Sequence, residues 1–181
     1  ADSFLEIIKG SALSWESLHK RITFRGIEEM NARFEQGKSI LLLGMHYGNW
    51  EWNGVAQPLM KHRYLVVYNP MRNNPEFESY LGKIRERWGT KTIRVDKSAR
   101  AVLQFHKMEK PVCLVLGGDQ RPPVITPLWT TFLNQEACFN TGVVRIARMT
   151  NQPVFFNLTR AIRRGYYEVS NIPLIENPAE V

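Results

Sequence analysis

Short apolar runs alternate along the chain with segments in which apolar residues recur every three or four positions, the pattern of strands separated by amphipathic helices. The runs predict strands over 39–43, 64–68, 92–95, 111–116, 153–159 and 166–169. Ile27, Met30 and Phe34 share a helical face that ends at Gly37. Asn74 caps a second helix with Pro75 at its first position; Phe77, Leu81, Ile84 and Trp88 form its apolar side, and Gly89 closes it. Further helices are predicted over 98–108 and, behind an Asn140/Thr141 cap, over 141–149. Residues 1–20 read as an N-terminal helix with Phe4, Leu5, Ile8, Trp15 and Leu18, either packed on the domain or proximal to a membrane. Strands alternating with helices give an α/β class: one αβα domain over 21–181 with a mostly parallel central sheet.

Of the 181 residues, 44% are hydrophobic and 23% charged, which suits a folded chain and excludes disordered, collagenous and coiled-coil classes. Cys113 and Cys138 lie in apolar contexts without CxxC or Cys/His spacing and read as small core residues. Charge changes the picture more. The net charge is +7, and between Arg121 and Arg164 stand six arginines (Arg121, Arg145, Arg148, Arg160, Arg163 and Arg164) against one acid, Glu136. A basic stretch is either a solvated face or a site for an anionic partner: a phospholipid surface, a phosphorylated lipid, an acidic carrier protein or nucleic acid. Nucleic acid is disfavoured because the arginines are not interleaved with a known reader motif. The longest apolar runs, such as 40–45, fall far below the roughly 20 residues of a membrane-spanning helix. The sequence opens without an initiating Met and closes on Asn177-Pro178-Ala179-Glu180-Val181, so a piece of a longer protein is the expectation.

In open parallel sheets, functional groups gather beyond the carboxyl ends of the strands. Two places qualify: Gly44-Met45-His46-Tyr47-Gly48-Asn49-Trp50-Glu51 after one strand, and Gly117-Gly118-Asp119-Gln120-Arg121 after another. On a continuous helix, five steps of about 100° would hold His46 and Glu51 apart. Gly48 permits a tight turn and Asn49 caps well, so Glu51 is expected in the first turn of the next helix, folded back on His46. A carboxylate there fixes the imidazole tautomer and leaves the other nitrogen to take a proton, an arrangement suited to a general base acting on a hydroxyl. The bland alternatives are a structural histidine and an acid that serves the helix dipole. His46, Glu51 and His62 have no standard zinc spacing, and no metal is expected. Asp119, one of three aspartates, follows two glycines at a strand end and either holds an arginine or orders a loop.

The first block resembles the H-x4-(D/E) element of the lysophospholipid acyltransferase superfamily, and its fuller G-x-H-x-G-N-W-E form resembles the bacterial lipid A biosynthesis (Kdo-lipid A lauroyl/myristoyl) acyltransferases. Arg25-Gly26-Ile27-Glu28, Tyr68-Asn69-Pro70 with Asn74-Pro75, Arg85-Glu86-Arg87-Trp88-Gly89, Asp119-Gln120, and Thr141-Gly142 followed by Ala147-Arg148 keep that family's order over roughly residues 20 to 175. The resemblance implies a glycerolipid-acyltransferase-like fold. It implies acyl transfer, without a cofactor, from a thioester of acyl carrier protein or coenzyme A to a hydroxyl of a lipid A precursor. It casts His46 as base, Glu51 as its orienter, and Arg85 and Asp119 as further residues needed for activity. Arg85 alternatively belongs to a solvated helix face, with Arg87 as its substitute. Asn49, Arg87, Gln120, Arg121, Arg148 and Arg160 are the candidates for binding substrate. The implied partners are acyl carrier protein, an anionic lipid acceptor and the cytoplasmic face of a bacterial inner membrane, reached through an anchor outside this chain. The rival readings are a glycerolipid or aminolipid acyltransferase, and a non-catalytic domain that binds anionic membranes.

Overall fold

The computed structural model describes residues 2–71, 73–108, 110–120 and 128–181. Seven strands form the central sheet: β1 (Ile22–Arg25), β2 (Ile40–Gly44), β3 (Arg63–Tyr68), β4 (Lys91–Arg94), β5 (Val112–Gly117), β8 (Val154–Arg163) and β9 (Tyr166–Ile175). They run in the order β1-β9-β8-β2-β5-β3-β4, and every neighbouring pair is parallel except β8 with β9. The remaining strands, β6 (Leu128–Phe132) and β7 (Gln135–Phe139), make an antiparallel hairpin of their own.

Alternation along the central strands divides their side chains between two cores. Ile40, Leu42, Cys113, Tyr64 and Phe155 face one side, where Ile27 and Met30 of α3 (Ile27–Glu35) and Ala56 and Met60 close over them. Leu41, Leu65, Val112, Leu114 and Val154 face the other, against Val102 of α5 (Ser98–Lys107) and Ile146 and Ala147 of α6 (Gly142–Thr150). The chain is a single α/β domain with helices on both faces of a mostly parallel sheet, as its pattern predicts. Burial raises the Cys113 thiol well above its ordinary pKa, which leaves it a protonated core side chain.

Three differences from the sequence expectation bear on function. The N-terminal helix is broken into α1 (Asp2–Ala12) and α2 (Trp15–His19), because Ser14 leaves helical geometry to cap α2 through a bond from the Ser17 N–H. The segment after Asn49 is a ten-residue 3₁₀ helix, Trp50–Leu59, which carries Gly54 and Pro58, both poor residues for an α-helix interior. β8 and β9 run past the predicted 159 and 169, and the far half of β8 with the first half of β9 protrudes beyond the carboxyl end of β2. An amide chain, buried at its centre, ties the 3₁₀ helix to these strands: Asn53 Nδ2 donates to Asn157, Asn157 Nδ2 to Asn171, and Asn171 Nδ2 to the Arg25 carbonyl.

Candidate active site

β2 and β5 lie side by side with Gly44 opposite Gly117, so the residues two positions beyond each strand end, His46 and Asp119, meet. His46 Nδ1 is 2.8 Å from Asp119 Oδ1, and the His46 backbone N–H donates to Oδ2 at 2.8 Å. The carboxylate grips the ring and the backbone of one residue. With an ionised acceptor on that side, the proton sits on Nδ1. Nε2 is left as the basic nitrogen, with no hydrogen-bond partner among the described residues. Partial burial works to raise the Asp119 pKa, but the bonds from the His46 ring and N–H outweigh it and hold the carboxyl below its ordinary range. The imidazole comes so close to β5 that a Cβ on Gly117 would stand 2.9 Å from its Cε1, so only glycine fits there.

Glu51 has a different partner from the one its spacing suggests. Gly48 turns the chain at φ +62°, and the 3₁₀ helix then carries Glu51 inward until its side chain is only 4% exposed. There Arg85 of α4 (Pro75–Glu86) meets it with two parallel bonds, Nε to Oε2 at 2.8 Å and Nη2 to Oε1 at 2.5 Å. The expected His46–Glu51 pair is replaced by His46–Asp119 and Glu51–Arg85. Trp50, given no role from sequence, joins them: its ring lies edge-on to His46 at 4.8 Å, with the Arg85 guanidinium 5.4 Å from its centroid. Burial works to lower the Arg85 pKa, yet the Glu51 bonds, with Glu78 beside them, raise it and keep the guanidinium charged. Arg85 therefore belongs to the interior and not to a solvated face.

A histidine braced by an aspartate beyond the carboxyl ends of a parallel sheet is an arrangement that can take a proton from a hydroxyl. The family model for the bacterial lipid A biosynthesis acyltransferases matches residues 1–180. The chain belongs to that family. It is a lipid A acyltransferase in general type. No curated protein matches the sequence.

In this acyltransferase the residues nominated for substrate binding scatter. Asn49, 1% exposed, donates to Glu6 of α1 and so braces the wall of the site. Arg87 donates to the Gly10 and Ser11 carbonyls at the end of α1 and stacks on Trp88, which makes it a clamp on the N-terminal helix. Arg148 reaches the Val181 carbonyl, and Arg160 pairs with Glu168. Gln120 is exposed beside Asp119. Arg121 lies outside the described residues. His62 is buried, with Nε2 2.9 Å from the Lys38 carbonyl oxygen, and burial lowers its pKa. Among the described residues no three His, Cys, Asp or Glu side chains converge as a metal site, and no helix is long and apolar enough to cross a membrane.

Proposed function

We propose that this lipid A acyltransferase moves a fatty acyl group from an acyl carrier protein thioester to a hydroxyl of a lipid A precursor, with His46 as general base and Asp119 as its orienter. The observation that carries the reading is the His46–Asp119 bond, which puts the proton on Nδ1 and leaves Nε2 bare. Nε2 takes the acceptor's hydroxyl proton as the oxygen attacks the thioester carbonyl carbon. The tetrahedral intermediate collapses with cleavage of the C–S bond, and the imidazolium returns the proton to the departing thiolate. Asp119 stabilises the imidazolium between those two transfers. No acyl-enzyme is needed by this reading: Cys113 is buried in the core, and Cys138 is half-buried on the β6–β7 hairpin.

The acceptor and the donor are both anionic, which fits the arginine-rich stretch from Arg145 to Arg164, and neither requires a cofactor. A lipid acceptor implies work at a membrane surface, by this reading the cytoplasmic face of the bacterial inner membrane. The test is transfer of a labelled acyl group from acyl carrier protein to a lipid A precursor in mixed micelles. Wild-type protein should give product, and His46→Ala, which keeps the fold because His46 is outside the core, should give essentially none. Product formed at the wild-type rate by His46→Ala would remove His46 as the base.

A further inference from the structure

The β6–β7 hairpin stands apart from the central sheet. It pairs with no strand of the central sheet, and none of its side chains belongs to the three apolar clusters of the core. Leu128 and Phe132 are 53% and 56% exposed on one face, Trp129 is 57% exposed on the other, and Leu133 at the turn is 80% exposed. Leu133 and Asn134 have φ of +51° and +60°, a left-handed turn that Asn and Gly adopt far more readily than leucine. A leucine thus occupies an unfavourable conformation at the turn of the hairpin, where most of its side chain is exposed.

Chain direction fixes where the hairpin stands. Asp119 precedes it and α6 follows it, and α6 returns to β8, which is parallel to β2. The chain therefore leaves the carboxyl edge of the sheet, the edge that holds His46, after Asp119 and comes back to it at the start of α6. Two further features share that edge. The α1 face with Phe4, Leu5 and Ile8 exposed is held there through Glu6, which accepts from Asn49 and Tyr167. Arg163 and Arg21 flank the Tyr166 ring there, at 3.8 Å and 5.1 Å from its centroid.

We propose that the hairpin is a membrane-insertion element whose tip, Phe132 and Leu133 with Trp129 behind them, enters the interfacial layer of an anionic bilayer and holds the His46 edge against it. The inference rests on the lipid-acceptor reading above. Apolar side chains on both faces favour lipid over a protein partner, which would cover one face, since a bilayer wets an inserted ribbon all round. Tryptophan suits the interfacial depth. Arginines on the same edge complement anionic headgroups. Glu136, one rung below the Phe132–Gln135 rung, stays at headgroup level when only the tip enters.

The test is flotation of the intact chain with vesicles of phosphatidylglycerol and phosphatidylcholine, comparing wild type with Phe132→Ser/Leu133→Asn. Asparagine suits the left-handed turn and offsets the edge-on Phe132–Phe139 ring contact that serine gives up, so the thermal midpoint should hold while vesicle affinity falls about tenfold. Transfer should fall on vesicle-embedded acceptor and persist in mixed micelles. Equal flotation of the two proteins overturns the proposal, as does a wild-type dimer by sedimentation that the double variant abolishes while still floating. Absence of wild-type transfer in both media would count against the acyltransfer reading, whereas the flotation result decides the hairpin on its own.

Discussion

Asp119 holds both the ring and the backbone N–H of His46, so its loss frees the imidazole tautomer and removes a tether between two loops at once. Asp119→Asn can still accept the backbone bond, but it presents an amide where the proposed imidazolium calls for an anion. Transfer should fall about 10²-fold to 10⁴-fold, the usual range for losing general-base assistance or its orienter. The same bonds make a statement about acid stability. The folded Asp119 pKa lies below the unfolded value of about 3.9. Its stabilisation is therefore fully present above that value and is lost as pH falls through the lower folded one. Urea unfolding from pH 7 down to pH 3 should show the gap between wild type and Asp119→Asn closing below about pH 4. A gap that stays constant would mean that Asp119 is not held ionised by His46. At this scale the sequence exposes the residue types but not the pairing. His46 and Asp119 are 73 positions apart, and they meet because β2 lies next to β5 in a register that aligns Gly44 with Gly117. Strand adjacency is a property of the whole sheet, and no local pattern carries it. Glu51, five positions from His46, is the nearer acid in sequence and the farther one in bonding.

The 3₁₀ helix between Trp50 and Leu59 is where element geometry redirects chemistry. It carries Glu51 to Arg85 of α4 and leaves Trp50 between the guanidinium and the imidazole. A buried ion pair adds little net stability, yet removing one partner strands the other charge, at a cost of about 3–5 kcal/mol. Glu51→Gln should lower the unfolding free energy by about that amount, and Glu51→Gln/Arg85→Met should recover most of it, because no buried charge remains. A double-mutant cycle from denaturant unfolding measures the coupling; an additive cycle would show the pair to be independent. The double variant also separates roles: with stability restored, a transfer rate that stays low would assign the pair to positioning Trp50 and His46. Long periodic elements such as α4, with its Asn74 cap and Pro75, are legible in sequence because local signals agree. β6 and β7 are not. Their side chains face no core, so the apolar alternation that marks a strand is blurred, and Leu133-Asn134 is not a standard hairpin signal. β1 is four residues long and finds its place only against β9.

At the scale of the whole molecule, the net charge of +7 takes on direction. Between Glu136 and Glu168 the sequence contains five arginines and no acid, and the extension of β8 and β9 beyond β2 projects part of that segment past the His46 edge. Not every arginine there is available. Arg160 and Arg25 both bind Glu168, while Arg163 is exposed and lies over Tyr166. Arg145 stands in the first turn of α6, where a cation opposes the helix dipole, and forms no ion pair among the described residues. Reversing Arg145 removes a charge that opposes its helix dipole and reversing Arg163 loses an exposed cation–π contact with Tyr166, so Arg145→Glu/Arg163→Glu should change stability by about 1 kcal/mol or less. Near an anionic surface each arginine contributes about 1 kcal/mol, and a reversal also adds repulsion, so two reversals should weaken vesicle binding at least 30-fold or so at low salt. The difference should shrink as added salt shortens the screening length to about 8 Å and below. Binding to phosphatidylcholine alone should not change. Flotation across a salt series measures all three quantities, and equal salt slopes for wild type and the double variant would make this edge an ordinary solvated face, with the apolar hairpin left to hold the membrane by itself.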